Sequence, residues 1–347
     1  MKNSIKQQVL YRKYRPSLFN EVLGQEHVVS VLENTIKNGS EAHAYLFSGS
    51  RGIGKTSVAR IFARALGTSE NDLYEIDGAS NRGVEEARGL REAVRVLPFE
   101  SKYKVYIIDE VHMLTKDAFN TLLKTLEEPP AHVLFILATT ELHKVLDTVV
   151  SRCQTFTFKK PTDEIVKKML TDVARKEGYE LEKGASGLIA VLAEGSYRDA
   201  HGYLQKALSY VTNKKITEED VERITGAPKT TLIFGFAKAL LERNAEDGIA
   251  ICHQSESANI EPKVLLKLTL RLLRMVMLSR LSPELKRYYE LELTKEELAQ
   301  IAELQKTKIT GLFSDIISEL LKAYDEMTTS SVPELLLELA IIKVAGK

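Results

Sequence analysis

The hydrophobic pattern changes character once along the chain. Before about residue 160, short apolar runs at 44–47, 73–77, 104–110, 133–138 and 155–158 read as strands. Helical patterns separate them, over 26–37, 55–66 and 83–96, up to 126, and over 142–150. Val105-Tyr106-Ile107-Ile108 and Val133-Leu134-Phe135-Ile136-Leu137-Ala138 lack the alternation of half-exposed strands, so both faces of their sheet are expected to be covered. Strands alternating with helices predict an α/β fold with a mostly parallel five-stranded sheet. From Thr162 onward the strand signals disappear. Helices are expected over 162–176, 183–193, 196–210 and 217–224, stopping at Gly226-Ala227-Pro228, and the rest is again helical. The segment 264–281 is apolar around most of its circumference, with Lys267, Arg271 and Arg274 as a polar stripe. Such a helix is enclosed by other helices, in its own domain or in a neighbouring subunit. The last helical pattern, 332–344, is apolar too. The breaks predict three domains: 1–160, 161–228 and 229–347.

The turn after the first strand carries the chemistry. Gly49-Ser50-Arg51-Gly52-Ile53-Gly54-Lys55-Thr56, followed by Ser57, fits G-x-x-x-x-G-K-[ST] between a strand and a helix, the context that makes the pattern a phosphate-binding loop. Its backbone N–H groups and the helix N-terminus attract polyphosphate. Lys55 is expected to reach the β- and γ-phosphates and Thr56 to offer a hydroxyl to Mg²⁺. The third strand ends in Asp109-Glu110, and in an open α/β sheet ligands gather at that end. Asp109 is assigned to the metal and Glu110 to orienting or deprotonating the attacking water. Thr139-Thr140 ends the fourth strand, where a hydroxyl serves equally as a γ-phosphate sensor or as a strand-end group satisfied by backbone. Arg198 stands in the first turn of a helix, against the helix dipole. It reads either as a second cation for phosphates or as an ion pair with Asp199.

Bulk composition narrows the class without deciding it. The 347 residues are 44% hydrophobic and 28% charged, ordinary for globular domains. Lys+Arg and Asp+Glu both number 48, so any nucleic-acid contact must come from local patches. The first fifteen residues hold Lys2, Lys6, Arg12, Lys13 and Arg15 and no acid. No apolar run approaches the roughly 18 residues of a membrane span, which predicts a cytoplasmic protein with no membrane partner. Two distant cysteines, Cys153 and Cys252, cannot build a four-ligand zinc site and are expected to be free.

Several motifs together resemble the bacterial clamp-loader ATPases, the gamma/tau family of DNA polymerase III in the AAA+ class. They are Tyr11-Arg12-Lys13-Tyr14-Arg15-Pro16, Val22-Leu23-Gly24-Gln25, Ile108-Asp109-Glu110-Val111-His112-Met113-Leu114, Leu126-Glu127-Glu128-Pro129-Pro130, Ala138-Thr139-Thr140 and Ser151-Arg152-Cys153. The resemblance implies an AAA+ ATPase domain, a small helical lid and an all-helical collar that oligomerises. Within it Arg152 is similar to the arginine finger acting on the ATP of the neighbouring subunit, Thr140 to the first sensor and Arg198 to the second. Arg12, Val22 and Leu23 resemble the edge of the site around the nucleotide base. Arg88, Lys116 and Lys124 stand where basic residues of this family face DNA phosphates, a contact independent of sequence. The implied partners are other clamp-loader subunits, a sliding clamp and primed DNA, with ATP and Mg²⁺ bound.

Most members carry a four-cysteine zinc module before the second strand. Here Leu66-Gly67 runs through Thr68-Ser69-Glu70-Asn71-Asp72 straight to Leu73, so zinc is not expected. The long extension of the tau form is also missing, which makes the chain gamma-like or a truncated piece. Two other functions fit parts of the pattern: a scaffold subunit that does not hydrolyse ATP, and another AAA+ DNA motor such as a branch-migration helicase. Lys55, Thr56, Asp109 and Glu110 speak against the first, Ser151-Arg152-Cys153 and the helical C-terminal segment against the second.

Overall fold

The computed structural model of the chain describes residues 8–281, 295–307 and 313–346. It divides into two compact units, the first running to Val166 and taking back Gly195–Gly202, the second holding Lys167–Glu194 and the described residues from Tyr203 onward.

Five parallel strands form the centre of the first unit: β1 (Ala44–Ser48), β2 (Leu73–Asp77), β3 (Lys104–Asp109), β4 (Val133–Thr139) and β5 (Gln154–Thr157), in the order β2-β3-β4-β1-β5. Successive side chains of a strand point to opposite faces. Ala44 and Leu46 of β1, Tyr106 and Ile108 of β3, and Phe135 and Leu137 of β4 therefore enter one core. Tyr45 and Phe47, Val105 and Ile107, and Leu134 and Ile136 enter the other. Both cores are roofed by helices, which explains the uninterrupted apolar runs. The first is covered from α4 (Val84–Ala93), α5 (Lys116–Glu127) and α6 (Asp147–Val150), which follow α1 (Leu10–Lys13) and two further helices in the chain. Those two, α2 (Glu26–Asn38) and α3 (Lys55–Ala65), cover the second through Val28, Leu32, Val58 and Phe62.

The helix expected over 142–150 is instead a 3₁₀ turn, Leu142–Lys144, followed by the short α6. Val145 and Leu146 between them are extended, with ψ 135° and 134°, and Val145 is buried in the core. Packing of that side chain overrides the helical period.

The second unit is helical around one apolar core that includes Phe236, Leu240, Leu273 and Leu320. Its helices include α8 (Lys183–Leu192), α10 (Glu218–Thr225), α11 (Thr230–Glu242), α12 (Ala245–Ser257) and α13 (Pro262–Leu281), while α7 (Asp163–Lys176) and α9 (Tyr197–Tyr210) run across the division between the units. As its composition demands, α13 is enclosed, with Leu265, Leu266, Leu272 and Leu273 buried and α11 and the last two helices, Phe313–Glu326 and Pro333–Ala345, packed on it. The expectation of no strands after Thr162 needs correcting: Glu180–Leu181 and Lys215–Ile216 pair in parallel. Two residues per strand are too few for any periodicity to register. Among the described residues no helix is long and apolar enough to cross a membrane. Cys153 and Cys252 are free, and burial pushes their thiols up to about 11 and about 12.

Candidate active site

Because β4 pairs with both β1 and β3 in register, the C-terminal ends of three strands lie side by side. The phosphate loop leaves β1 there and feeds α3, whose N-cap is Gly54 at φ 106°. Only glycine adopts that conformation without strain, and a Cβ at Gly54 would meet nothing within 4 Å, so the loop faces an open concavity. Gly52, at φ 75°, is required for a second reason: its Cβ would lie 2.1 Å from Ser196 Oγ, and its carbonyl accepts the N–H of Tyr197 at 2.9 Å. The start of α9 is thus seated directly on the loop within the first unit.

Lys55 is only 5% exposed, and its Nζ donates to the carbonyls of Gly49 at 2.7 Å and Ser50 at 2.9 Å. Burial lowers its pKa, opposed by Glu110 and Asp109 and reinforced by Arg198. An ammonium so placed is pre-positioned for anionic oxygens. Thr56 Oγ1 donates to Asp109 Oδ2 at 2.8 Å, joining the two expected metal ligands across 53 residues of chain. Glu110 leaves the strand in a left-handed conformation, φ 48°, uncommon for a residue with a Cβ and concentrated at functional sites. Its Oε2 accepts from the Thr140 hydroxyl at 2.9 Å and the Thr140 N–H at 3.3 Å. The Thr140 hydroxyl therefore contacts the expected water-activating carboxylate.

Arg198 belongs to the same unit, and its guanidinium lies over the Tyr11 ring, 5.8 Å from the centroid. The Leu23 carbonyl accepts from Tyr197 Oη at 2.8 Å, while Val22 packs on the core below. Arg12 is exposed, 5.8 Å from the Tyr11 ring. Ser50 and Arg51 are exposed at the loop, Ile53 is buried in the core, and Ser57 accepts from Arg15 Nε at 3.1 Å. Arg15 is a site residue that the sequence motifs do not assign. Burial and the charge of Arg60 lower its pKa, with Arg198 acting in the same direction and Glu75 and Asp109 against it. A basic residue among Tyr14, Pro16 and other packing side chains was the available signal.

Arg152 stands apart from these groups. It donates to the Thr148 carbonyl at 2.6 Å and pairs with Glu127, remaining 34% exposed. Arg88 on α4, paired with Glu85 at 2.7 Å, and Lys116 and Lys124 on α5 are exposed on two helices packed against each other.

A β2-β3-β4-β1-β5 parallel sheet with a phosphate loop after β1 and an Asp-Glu pair after β3 is the fold of the AAA+ class of P-loop proteins. The RuvB Holliday junction branch migration motor of Thermotoga maritima shares that fold with a TM-score of 0.53 at 21% identity, over 73% of this chain and 90% of that one. Sequence comparison is more specific. The family model for the DNA polymerase III delta subunit matches residues 24–83 and 68–162, and that for DNA polymerase III subunits gamma and tau domain III matches 216–347. The DNA polymerase III subunit gamma of Buchnera aphidicola subsp. Acyrthosiphon pisum is 32% identical over 97% of this chain and 98% of its own length. The tau subunit of Bacillus subtilis is 37% identical over 97% of this chain and that of Escherichia coli 39% over 80%, and these alignments cover 63% and 46% of those longer proteins. The chain belongs to the DNA polymerase III gamma/tau family.

Proposed function

We propose that the chain is an ATP-hydrolysing motor subunit of a clamp loader, which with related subunits loads a sliding clamp onto primed DNA during replication. The carrying observation is that Lys55, the Thr56–Asp109 pair and the Thr140–Glu110 pair meet at three adjacent strand ends. A hydroxyl and a carboxylate 2.8 Å apart suit Mg²⁺, which keeps waters and substrate oxygens as its other ligands. Among the described residues no group of three or more His, Cys, Asp or Glu side chains could hold a metal, so this chain would supply only part of the coordination shell. When bound, the ion would neutralise charge on the β- and γ-phosphates.

The residues then divide the work. The N–H groups of the 49–57 loop and Lys55 bind the polyphosphate, with Arg12, Val22 and Leu23 at the base. Thr140 and Arg198 sense the γ-phosphate. Glu110, whose Oε2 is bonded to Thr140, accepts a proton from the attacking water. Arg152, held by Glu127 and Thr148 within its own chain, acts on the site of the next subunit as the finger that stabilises transition-state charge. Residues 1–160 serve as the ATPase domain, 161–228 as the lid and 229–347 as the collar. Val332, Leu335, Leu339 and Ile342, each 42–52% exposed near or on the last helix, offer the collar an apolar stripe for neighbouring subunits. Arg88, Lys116 and Lys124 track DNA phosphates, zinc has no role, and the setting is the cytoplasm.

Steady-state ATP hydrolysis by the assembled complex, with and without primed DNA and the sliding clamp, tests the reading. Stimulation by both is expected. No stimulation by either would point to a different AAA+ motor.

A further inference from the structure

We propose that Glu127 is a positioning residue for Arg152, holding its guanidinium in one orientation before the site of the neighbouring subunit is met. The inference rests on the reading of Arg152 as a finger acting in trans.

Glu127 is the last residue of α5, and Glu128 leaves the helix at φ −131°. A carboxylate there stands at the negative end of the helix dipole, so α5 itself gives no reason for it. Arg152 supplies the missing cation, with Nη2 donating to Glu127 Oε1 at 2.5 Å. Nη1 donates to the Thr148 carbonyl at 2.6 Å and to Ser151 Oγ at 3.4 Å. Ser151 gives its own proton to that same carbonyl at 3.2 Å, which leaves its oxygen free to accept. Three of the five N–H groups of the guanidinium are thus engaged. The Nε–H and one N–H of Nη2 have no partner among the described residues and remain for an oxyanion from outside the chain.

Packing fixes the anchors on both sides. Leu126, beside Glu127, and Val149, beside Thr148, are buried in one core, and Val150 and Cys153 pack against it. Of the three acceptors, Glu127 is the one that comes from another element, so it ties the finger to α5. The Arg152 side chain is still 34% exposed and that of Glu127 45%. An ion pair so exposed contributes little to folding. A free arginine, however, spreads over many rotamers, and confining it beforehand lowers the entropy lost when it meets a γ-phosphate. Glu127 therefore acts on the reaction only through Arg152.

The test is ATP turnover by the complete complex, with primed DNA and the sliding clamp, carrying Glu127→Ala, Glu127→Gln, or Glu127→Ala together with Arg152→Ala. Alanine is expected to lower kcat about 10-fold with KM for MgATP within about twofold, because orientation and not binding is lost. Glutamine, whose amide oxygen still accepts, should restore most of the rate. Adding Glu127→Ala to Arg152→Ala should change nothing further, since one acts through the other. Mixed assemblies locate the defect. A Glu127→Ala chain keeps a sound site of its own, so co-assembly with Glu110→Gln chains should raise turnover above the mean of the two separate complexes, and co-assembly with Arg152→Ala chains should not. Parent kcat in Glu127→Ala, a further loss in the double variant, or no gain from mixing with Glu110→Gln chains overturns the proposal. Parent turnover by Arg152→Ala would instead remove the reading on which the proposal rests.

Discussion

Three buried hydroxyls of the second unit and the polar groups around the first unit's strand ends and loops are satisfied in different ways. In the second, Thr269 donates to the Leu265 carbonyl at 2.8 Å, Ser255 to Cys252 at 2.7 Å and Ser186 to Lys183 at 2.9 Å. Each of these three hydroxyls returns to the backbone of its own helix, while the unit also holds longer-range links such as Lys267 Nζ to Glu194 Oε1 at 2.7 Å. In the first unit the bonds join distant segments: Thr56 to Asp109, Thr140 to Glu110, and Gln25, fully buried, to both backbone groups of Lys159. Polar groups closed locally contribute little to specificity. Those closed across the chain fix the relative placement of strand ends and loops, which is what a nucleotide site requires.

The largest effect is expected from Arg152, proposed to serve the site of the next subunit. In the assembled complex Arg152→Ala should cut hydrolysis by about 10³-fold while nucleotide affinity is kept, as for an arginine finger. Turnover near the parent value would return Arg152 to a surface ion pair with Glu127. Next is the purely apolar case. Phe236→Ala should destabilise the second unit by about 3–5 kcal/mol in denaturant unfolding, since loss of an aromatic ring leaves a cavity in an apolar core. The nucleotide site of the first unit should bind as before.

A smaller effect probes the long-range polar class away from the nucleotide. Asp72, fully buried, accepts the N–H groups of Phe99, Glu100 and Ser101, the last two at 3.0 and 2.9 Å. Burial raises its pKa, but these bonds outweigh it and hold the carboxyl far below the usual range. A depressed folded-state pKa contributes stability that is complete above the unfolded value of about 3.9 and fades as pH falls toward the folded one. Asp72→Asn should therefore cost about 1–3 kcal/mol at neutral pH, with the difference from the parent narrowing below about pH 4. Smallest of all, Thr269→Val should change stability by no more than about 1 kcal/mol, because the hydroxyl serves only its own helix.

Sequence periodicity made the sheet and most helices legible because both faces of β1, β3 and β4 are buried and the helices are long. It failed where an element is too short, as at Glu180–Leu181, or where one side chain such as Val145 is pulled into the core. The site was legible where its residues form local motifs, the 49–56 loop and Asp109-Glu110. Arg15 and His112 stood inside quoted motifs, yet their contacts, with Ser57 and with Thr139 and Glu141, lie 27 to 42 residues away and carry no local pattern. The register of β4 with β3 brings His112 to Thr139 and Glu141, and Arg15 reaches Ser57 of α3 from the segment after α1.

If the hydrolytic site is completed by the neighbouring subunit, two inactive chains should complement each other when mixed. Complexes assembled from Glu110→Gln chains alone, or from Arg152→Ala chains alone, should be nearly silent. Co-assembled from both, an Arg152→Ala chain keeps its Glu110 and can receive the intact finger of a Glu110→Gln neighbour. ATP turnover should then recover to well above the sum of the separate complexes. Turnover in the mixture no higher than that sum would contradict completion by the neighbour.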